Sequence, residues 1–394
     1  MHKTLRRSFA TGTVAALAML GTATSASAQG APATNLGPPI GPSGAPGRGR
    51  AVFVQTDNPT GNAIDVFSEH HDGRLSLRQV APTGGLGGKA TSSVVDHLAS
   101  QSSLVYDPTS RLLFAVNAGS NTLSVLSTRG RQLRLLQVIS SGGAFPDSVA
   151  VHGRLVYVLD AGGSGTVTGY RVVRQRLIPL PGSARSLGLS NTTPPFFLDS
   201  PGQVGFSADG SKLIVTTKAS TDSLDLFAVN GLGWLSATPT VTADPGNVPF
   251  AFAESPSGQL VVAEPGPSAV HTYGFSAAGA LTSLSGSVPD GQKAACWITE
   301  ARGYYYVANA GSNDVSAYTV SPNGTPALVG STGVAATTDA GSIDLAASSN
   351  GRNLYVEAGA PGAVDEFHVN ADGSLSDLGS VAGLGAGIEG IATS

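Results

Sequence analysis

Cysteine, aromatic residues and charge are all scarce in this sequence. With one cysteine, no internal disulfide framework and no cysteine-cluster metal site can form. Aromatic residues make up 6% and charged residues 12% of the 394. No stretch sustains helical periodicity, which disfavours a helical bundle or solenoid. A formal net charge of −4 leaves no basic face to grip nucleic acid. The one apolar stretch near the N-terminus is too short for a permanent membrane anchor, so no membrane insertion is expected. Glycine and proline, by contrast, are abundant at 52 and 24 residues, beside an apolar fraction of 41%. That apolar content argues against wholesale disorder, and turn residues spaced between short apolar runs read as many short strands.

The N-terminus reads as an export address. Lys3, Arg6 and Arg7 precede an apolar segment over residues 10–20, and Ala26-Ser27-Ala28 supplies a small-x-small cleavage pattern. Residues 1–28 are therefore a signal peptide cleaved after Ala28, and the mature protein is secreted. Arg6-Arg7-Ser8-Phe9 resembles a twin-arginine signal, so both export routes stay open. Cleavage removes three cations, leaving 19 Lys and Arg against 26 Asp and Glu. Residues 29–50 follow, half of them Gly or Pro, and form a flexible linker that cannot bury enough apolar surface to order itself.

Residues 51–394 carry an internal repeat of about fifty residues. Phe114-Ala115-Val116-Asn117-Ala118-Gly119-Ser120-Asn121 nearly recurs as Tyr306-Val307-Ala308-Asn309-Ala310-Gly311-Ser312-Asn313, 192 residues later. A turn with glycine two residues before leucine appears at Gly73, Gly233, Gly279 and Gly373, with Gly130 and Gly324 in equivalent places. From Gly73 to Gly373 is 300 residues, or six steps of about fifty, hence seven units. Each unit reads as four short strands joined by Gly, Asn, Asp and Ser turns. The expected fold is all-β: a seven-bladed propeller of four-stranded antiparallel blades. The first unit lacks its innermost strand, and residues 388–392 at the far end supply a candidate. Pairing the N- and C-terminal strands would close the ring and remove an open edge.

Thr83-Gly84-Gly85, the AVNAGSN segment, the FSADGSKL turn over residues 206–213 and the Gly-x-Leu turns together resemble the lactonase-type propellers. That group includes bacterial 6-phosphogluconolactonases and fungal carboxymuconate cyclases. The resemblance spans residues 51–394. It implies a seven-bladed fold and an enzyme that opens or forms a lactone at the channel face. Members usually carry an Arg-His pair entering an inner strand. Here the corresponding entries read Phe145-Pro146-Asp147-Ser148 and Val248-Pro249-Phe250-Ala251, without arginine or histidine. The family's sugar-phosphate residues therefore do not carry over.

Aligning the units places a polar residue after the second strand of each: Asp57, Asn117, Asp160, Lys218, Glu264, Asn309 and Glu357. Asn117, Asp160 and Asn309 sit beside glycine and suit a turn as well as a ligand. Lys218 and Glu264, on adjacent blades, are the candidate catalytic pair: a carboxylate to activate water and an ammonium to face the developing oxyanion. A plain ion pair would look the same in sequence. His97, in the long connection 81–102, is the alternative proton carrier, and a second long connection spans 181–202. Glu357 and Trp297 are further ligand-binding candidates, with Trp297 placed to stack on a ligand in the channel or to pack in the core. Cys296 reads as buried packing, since no histidine or helix start activates it. The Gly385–Gly390 match to a dinucleotide pattern is accidental, because only four residues follow it. The expected partner is a small cyclic ester or carboxylate, with no cofactor, no metal requirement and a monomeric state. The competing reading is a non-catalytic extracellular binding scaffold on the same fold.

Overall fold

The computed structural model describes residues 50–129, 131–276 and 279–394. The signal peptide and nearly all of the linker expected from the sequence lie outside the described residues. Seven antiparallel sheets follow one another along the chain, each with at least four strands, in sequential order except in blade 1, where the last strand of the chain joins the first three. The innermost strands of blades 2 to 7 are Leu104–Asp107, Pro146–His152, Gln203–Phe206, Phe252–Glu254, Ala295–Ala301 and Ser342–Ala347. Blades 3, 5 and 6 add a short fifth strand. The only helical turn among the described residues is the 3₁₀ segment Lys218–Ser220, and no helix there is long and apolar enough to cross a membrane.

Closure follows the expected route. Ala51–Gln55, the second strand of blade 1, pairs antiparallel with Ile391–Thr393 through Val52↔Thr393, Phe53↔Ala392 and Val54↔Ile391. The closing strand starts three residues later than the sequence suggested. Residues 388–390 instead turn inward, and Glu389 is fully buried.

The recurring glycine turns have a packing reason. Tyrosine hydroxyls on the second strands of blades 3, 6 and 7 donate to the glycine carbonyl of the next blade's turn. The pairs are Tyr157 to Gly233 (2.7 Å), Tyr306 to Gly373 (3.0 Å) and Tyr355 to Gly73 (2.9 Å). Gly373 has φ +83°, and a Cβ there would stand 2.5 Å from the Tyr304 ring. Only glycine takes that conformation and allows that approach. The leucine two residues on is buried in turn: Leu75, Leu235 and Leu281 are at most 8% exposed. The repeat unit is thus a docking device between blades, and its apolar alternation fills the space between neighbouring sheets.

Candidate functional site at the capped channel

The two long connections meet over the channel. Thr91 bridges to Phe196, and Phe197 N donates to Thr91 O. From this meeting the first connection dips to the axis. Ser100 donates its hydroxyl to Asp147 O of blade 3 (2.7 Å), and its carbonyl accepts Trp297 Nε1 of blade 6 (2.8 Å). Gln101 pairs its side-chain amide with the Ile298 backbone and donates N–H to Gly202 O of blade 4. The Glu389 carboxylate, beside the closing strand of blade 1, accepts the N–H groups of Leu98, Ala99 (3.2 Å) and Ser100 (2.8 Å). Leu98, Ala99 and Ser100 are buried. The long connection that carries His97 thus plugs one end of the channel.

Lys218 locks this plug. It is 1% exposed, and Nζ donates to Ala99 O (2.6 Å), Phe197 O (2.6 Å) and Ser200 Oγ (2.8 Å), so it ties both long connections to blade 4. Nζ also stands 4.9 Å from the centre of the Phe250 ring. Burial lowers its pKa to about 8, against the opposing charges of Asp96, Asp147 and Glu389. Burial holds Asp147 well above the usual carboxylate range, and neither of its oxygens has a partner among the described residues.

Lys218 and Glu264 are not brought together. The side chain of Glu264 is fully buried and faces His271, whose Nδ1 lies 2.8 Å from Oε1, while Oε2 accepts Ser287 Oγ at 2.5 Å. His97 is half-buried in the cap, with Nδ1 3.3 Å from Asp57 O and its pKa lowered by burial. A second histidine, His271, belongs to the Glu264 group.

Three aligned positions miss the last pair of their second strand, Glu357 by one residue and Lys218 and Asp57 by two. The last pairs of the second strands include Asn117↔Thr122, Asp160↔Thr166, Glu264↔Ala269 and Asn309↔Asp314. In blade 7 that place belongs to Ala358, paired with Ala363, so Glu357 points to the opposite face. In blade 4 the second strand ends at Thr216, and Lys218 falls in the 3₁₀ turn beyond it.

Asn117 binds Asn62, Thr83 and Ser124, and Asn309 binds Asp314 and Ser316. Both therefore serve contacts at the sheet ends. Asp160 is buried with its pKa pushed up to about 7. Trp297 is 1% exposed, with its ring tilted 59° against Phe250 at 4.8 Å between centroids beneath the cap. Cys296 is buried beside it.

Below the plug the channel widens into a cavity of about 370 Å³. Its walls are the innermost strands of blades 1, 2, 6 and 7, and it runs from Gln101 and Asp344 to the exposed Glu300. Asp344 accepts Leu345 N (2.9 Å) and Ile391 N (3.4 Å), and burial pushes its pKa up to about 7. Glu357 lies close behind it. Burial and then the Asp344 charge hold Glu357 well above the usual range. Its Oε2 accepts Gly390 N (3.1 Å), while Oε1 has no partner among the described residues. Sequence reasoning missed Asp344 and Glu389 because both precede or enter innermost strands and no turn signal marks them.

The periplasmic gluconolactonase of Pseudomonas aeruginosa matches with a TM-score of 0.70 over 87% of this chain and 98% of its own, at 18% identity. The fold is that of the lactonase-type seven-bladed propellers. A Bacteroides uniformis protein provisionally named a 6-phosphogluconolactonase matches with a TM-score of 0.68 at 18% identity, over 88% of this chain and 99% of its own. A Lactobacillus plantarum protein does so with 0.68 at 16%, over 88% and 99%. No protein-family model and no curated protein matches this sequence.

Proposed function

We propose that the protein is an exported lactonase that opens small cyclic esters inside the channel, with Asp344 as general base. The observation that carries this reading is the cavity of about 370 Å³ with a buried carboxyl near neutrality at its inner end. A base with that pKa is half-ionised at neutral pH and still strong enough to take a proton from water. The volume suits a small ligand and excludes a polymer. Each innermost strand is a sheet edge, so alternate N–H groups face the axis and can stabilise an oxyanion.

In the proposed step Asp344 takes a proton from water as the water oxygen bonds to the lactone carbonyl carbon. The ring C–O bond then breaks, and the leaving alkoxide recovers the proton from Asp344. Glu357 behind it holds a second exchangeable proton. The gluconolactonase among the structural neighbours makes a hydroxylated lactone a reasonable first substrate.

A panel of aliphatic, aromatic and sugar lactones followed by pH-stat tests this. Asp344→Asn should lower turnover about 100- to 10,000-fold. The wild-type rate should rise with pH through about 7 as the base ionises. One observation favours the scaffold reading: the plug closes the cap side of the channel and occupies every Lys218 hydrogen. Tight binding of lactones without turnover would establish that alternative.

A further inference from the structure

Outside the channel, three buried side chains converge where the connection from blade 4 enters blade 5. Asp244 leaves blade 4, Glu264 ends the second strand of blade 5, and His271 lies on its third strand. One ligand atom from each falls within 4.8 Å of the others. Their side chains are 7%, 0% and 9% exposed. Among the described residues no lysine or arginine pairs with either carboxylate within 4.0 Å.

The group sets one imidazole against two carboxyls, so even a protonated His271 brings one positive charge to two acidic side chains. Ser283 Oγ donates to Ser285 O, so its one hydrogen is committed. It must therefore accept from His271 Nε2–H, 2.7 Å away. Protonated, the ring donates Nδ1–H to Glu264 Oε1; without that proton, the state in which it can bind a metal, Nδ1 is a bare lone pair. Three oxygens surround it: Glu264 Oε1 at 2.8 Å, Tyr273 Oη at 2.9 Å and Asp244 Oδ1 at 3.9 Å. Tyrosine can donate to it, but two ionised carboxylates cannot. The carboxyls are themselves aimed by neighbours, Glu264 by Ser287 (2.5 Å) and Asp244 by Asn247 (2.7 Å). Asp244 Oδ2 is buried without any partner among the described residues.

We infer that Asp244, Glu264 and His271 form a binding site for one first-row divalent transition metal ion, with Zn²⁺ the best match. Imidazole nitrogen and carboxylate oxygen bind zinc at about 2.0–2.2 Å, so two ligands of one ion lie at most about 4.4 Å apart. The separations of 2.8 and 3.9 Å bracket the roughly 3.3–3.6 Å between tetrahedral zinc ligands, so binding needs a side-chain shift of only a few tenths of an ångström. Imidazole favours zinc over magnesium or calcium, which take all-oxygen shells. The Nε2–H bond to Ser283 is the outer contact that fixes a metal-binding histidine for coordination through Nδ1. Tyr273 Oη, 2.9 Å from Nδ1, stands beside these three ligands. A buried, closed set of this kind makes the ion structural, a clip between the connection from blade 4 and blade 5. The spacing of 20 and seven residues hid this set from the sequence, which had pointed to no metal. The inference does not depend on channel chemistry.

The test takes the purified full chain, stripped with a chelator and dialysed. Zn²⁺ should bind at one equivalent by calorimetry, release protons and raise the melting temperature by a few degrees, and Mg²⁺ should do neither. Co²⁺ in its place should give visible absorption bands, which His271→Gln and Glu264→Gln abolish while circular dichroism shows the folded β signal. Asp344→Asn, in the channel, should bind zinc as the wild type does. Should either substitution fail to fold, the milder Asp244→Asn must weaken zinc binding at least tenfold. Absence of stoichiometric zinc, or Co²⁺ bands unchanged in His271→Gln, would overturn the site.

Discussion

One buried ammonium joins both long connections to the ring, and that is the main correction at the scale of the residue. Lys218 has the composition of an oxyanion-stabilising group, but all three of its hydrogens go to protein acceptors. Lys218→Met would leave Ala99 O, Phe197 O and Ser200 Oγ unpaired, and a buried polar group left unsatisfied costs about 1–3 kcal/mol. The expected result is a lower melting temperature and faster amide exchange at residues 98–100, with turnover of the folded fraction unchanged. A 100- to 1000-fold loss of turnover would instead restore the catalytic role. The interblade tyrosines make a milder case. Tyr306→Phe removes the bond to Gly373 O and should destabilise by about 1 kcal/mol in denaturant melts.

At the scale of the element, the last residues do two jobs. Ile391–Thr393 completes blade 1, and the preceding Glu389 caps the N–H groups that hold the plug at the axis. Ile388 and Ile391 are both nearly fully buried. Deleting residues 387–394 should cost several kcal/mol, since it removes two buried isoleucines and re-exposes a strand edge. It should also release the plug, visible as proteolytic cleavage within 85–103. An unchanged melting temperature would refute the closure as a stabilising feature.

The whole molecule gathers buried carboxyls and few cations to neutralise them. Burial raises Asp344 and Asp160 to about 7 and Asp65, Asp96 and Asp365 to about 6. A carboxyl with a raised folded-state pKa binds its proton more tightly in the folded state than in the unfolded chain. The stability it contributes is complete below the ordinary aspartate value of 3.8 and is lost as pH rises through 6 and 7. The melting temperature should therefore fall between pH 5 and pH 8. Asp344→Asn, which cannot ionise, should flatten that slope. A melting temperature that rises across this window would contradict the assignment of these carboxyls as buried and unpaired.

The architecture was legible in the sequence because its causes are local. Alternating apolar residues, Gly-x-Leu turns near Gly73 and Gly373, and a first unit lacking one strand each act within a few residues of the chain. The site was far less legible. A one-residue register difference turned Glu357 away from the face it was aligned to, and strand length alone decides such a shift. Glu389 meets Leu98 across 291 residues, and Asp344 reaches Ile391 across 47. Strand periodicity and turn chemistry thus determined seven blades and their closure. Which polar groups are buried together, and hence which are charged, was decided only when the closed ring brought distant segments to one axis and excluded water from them.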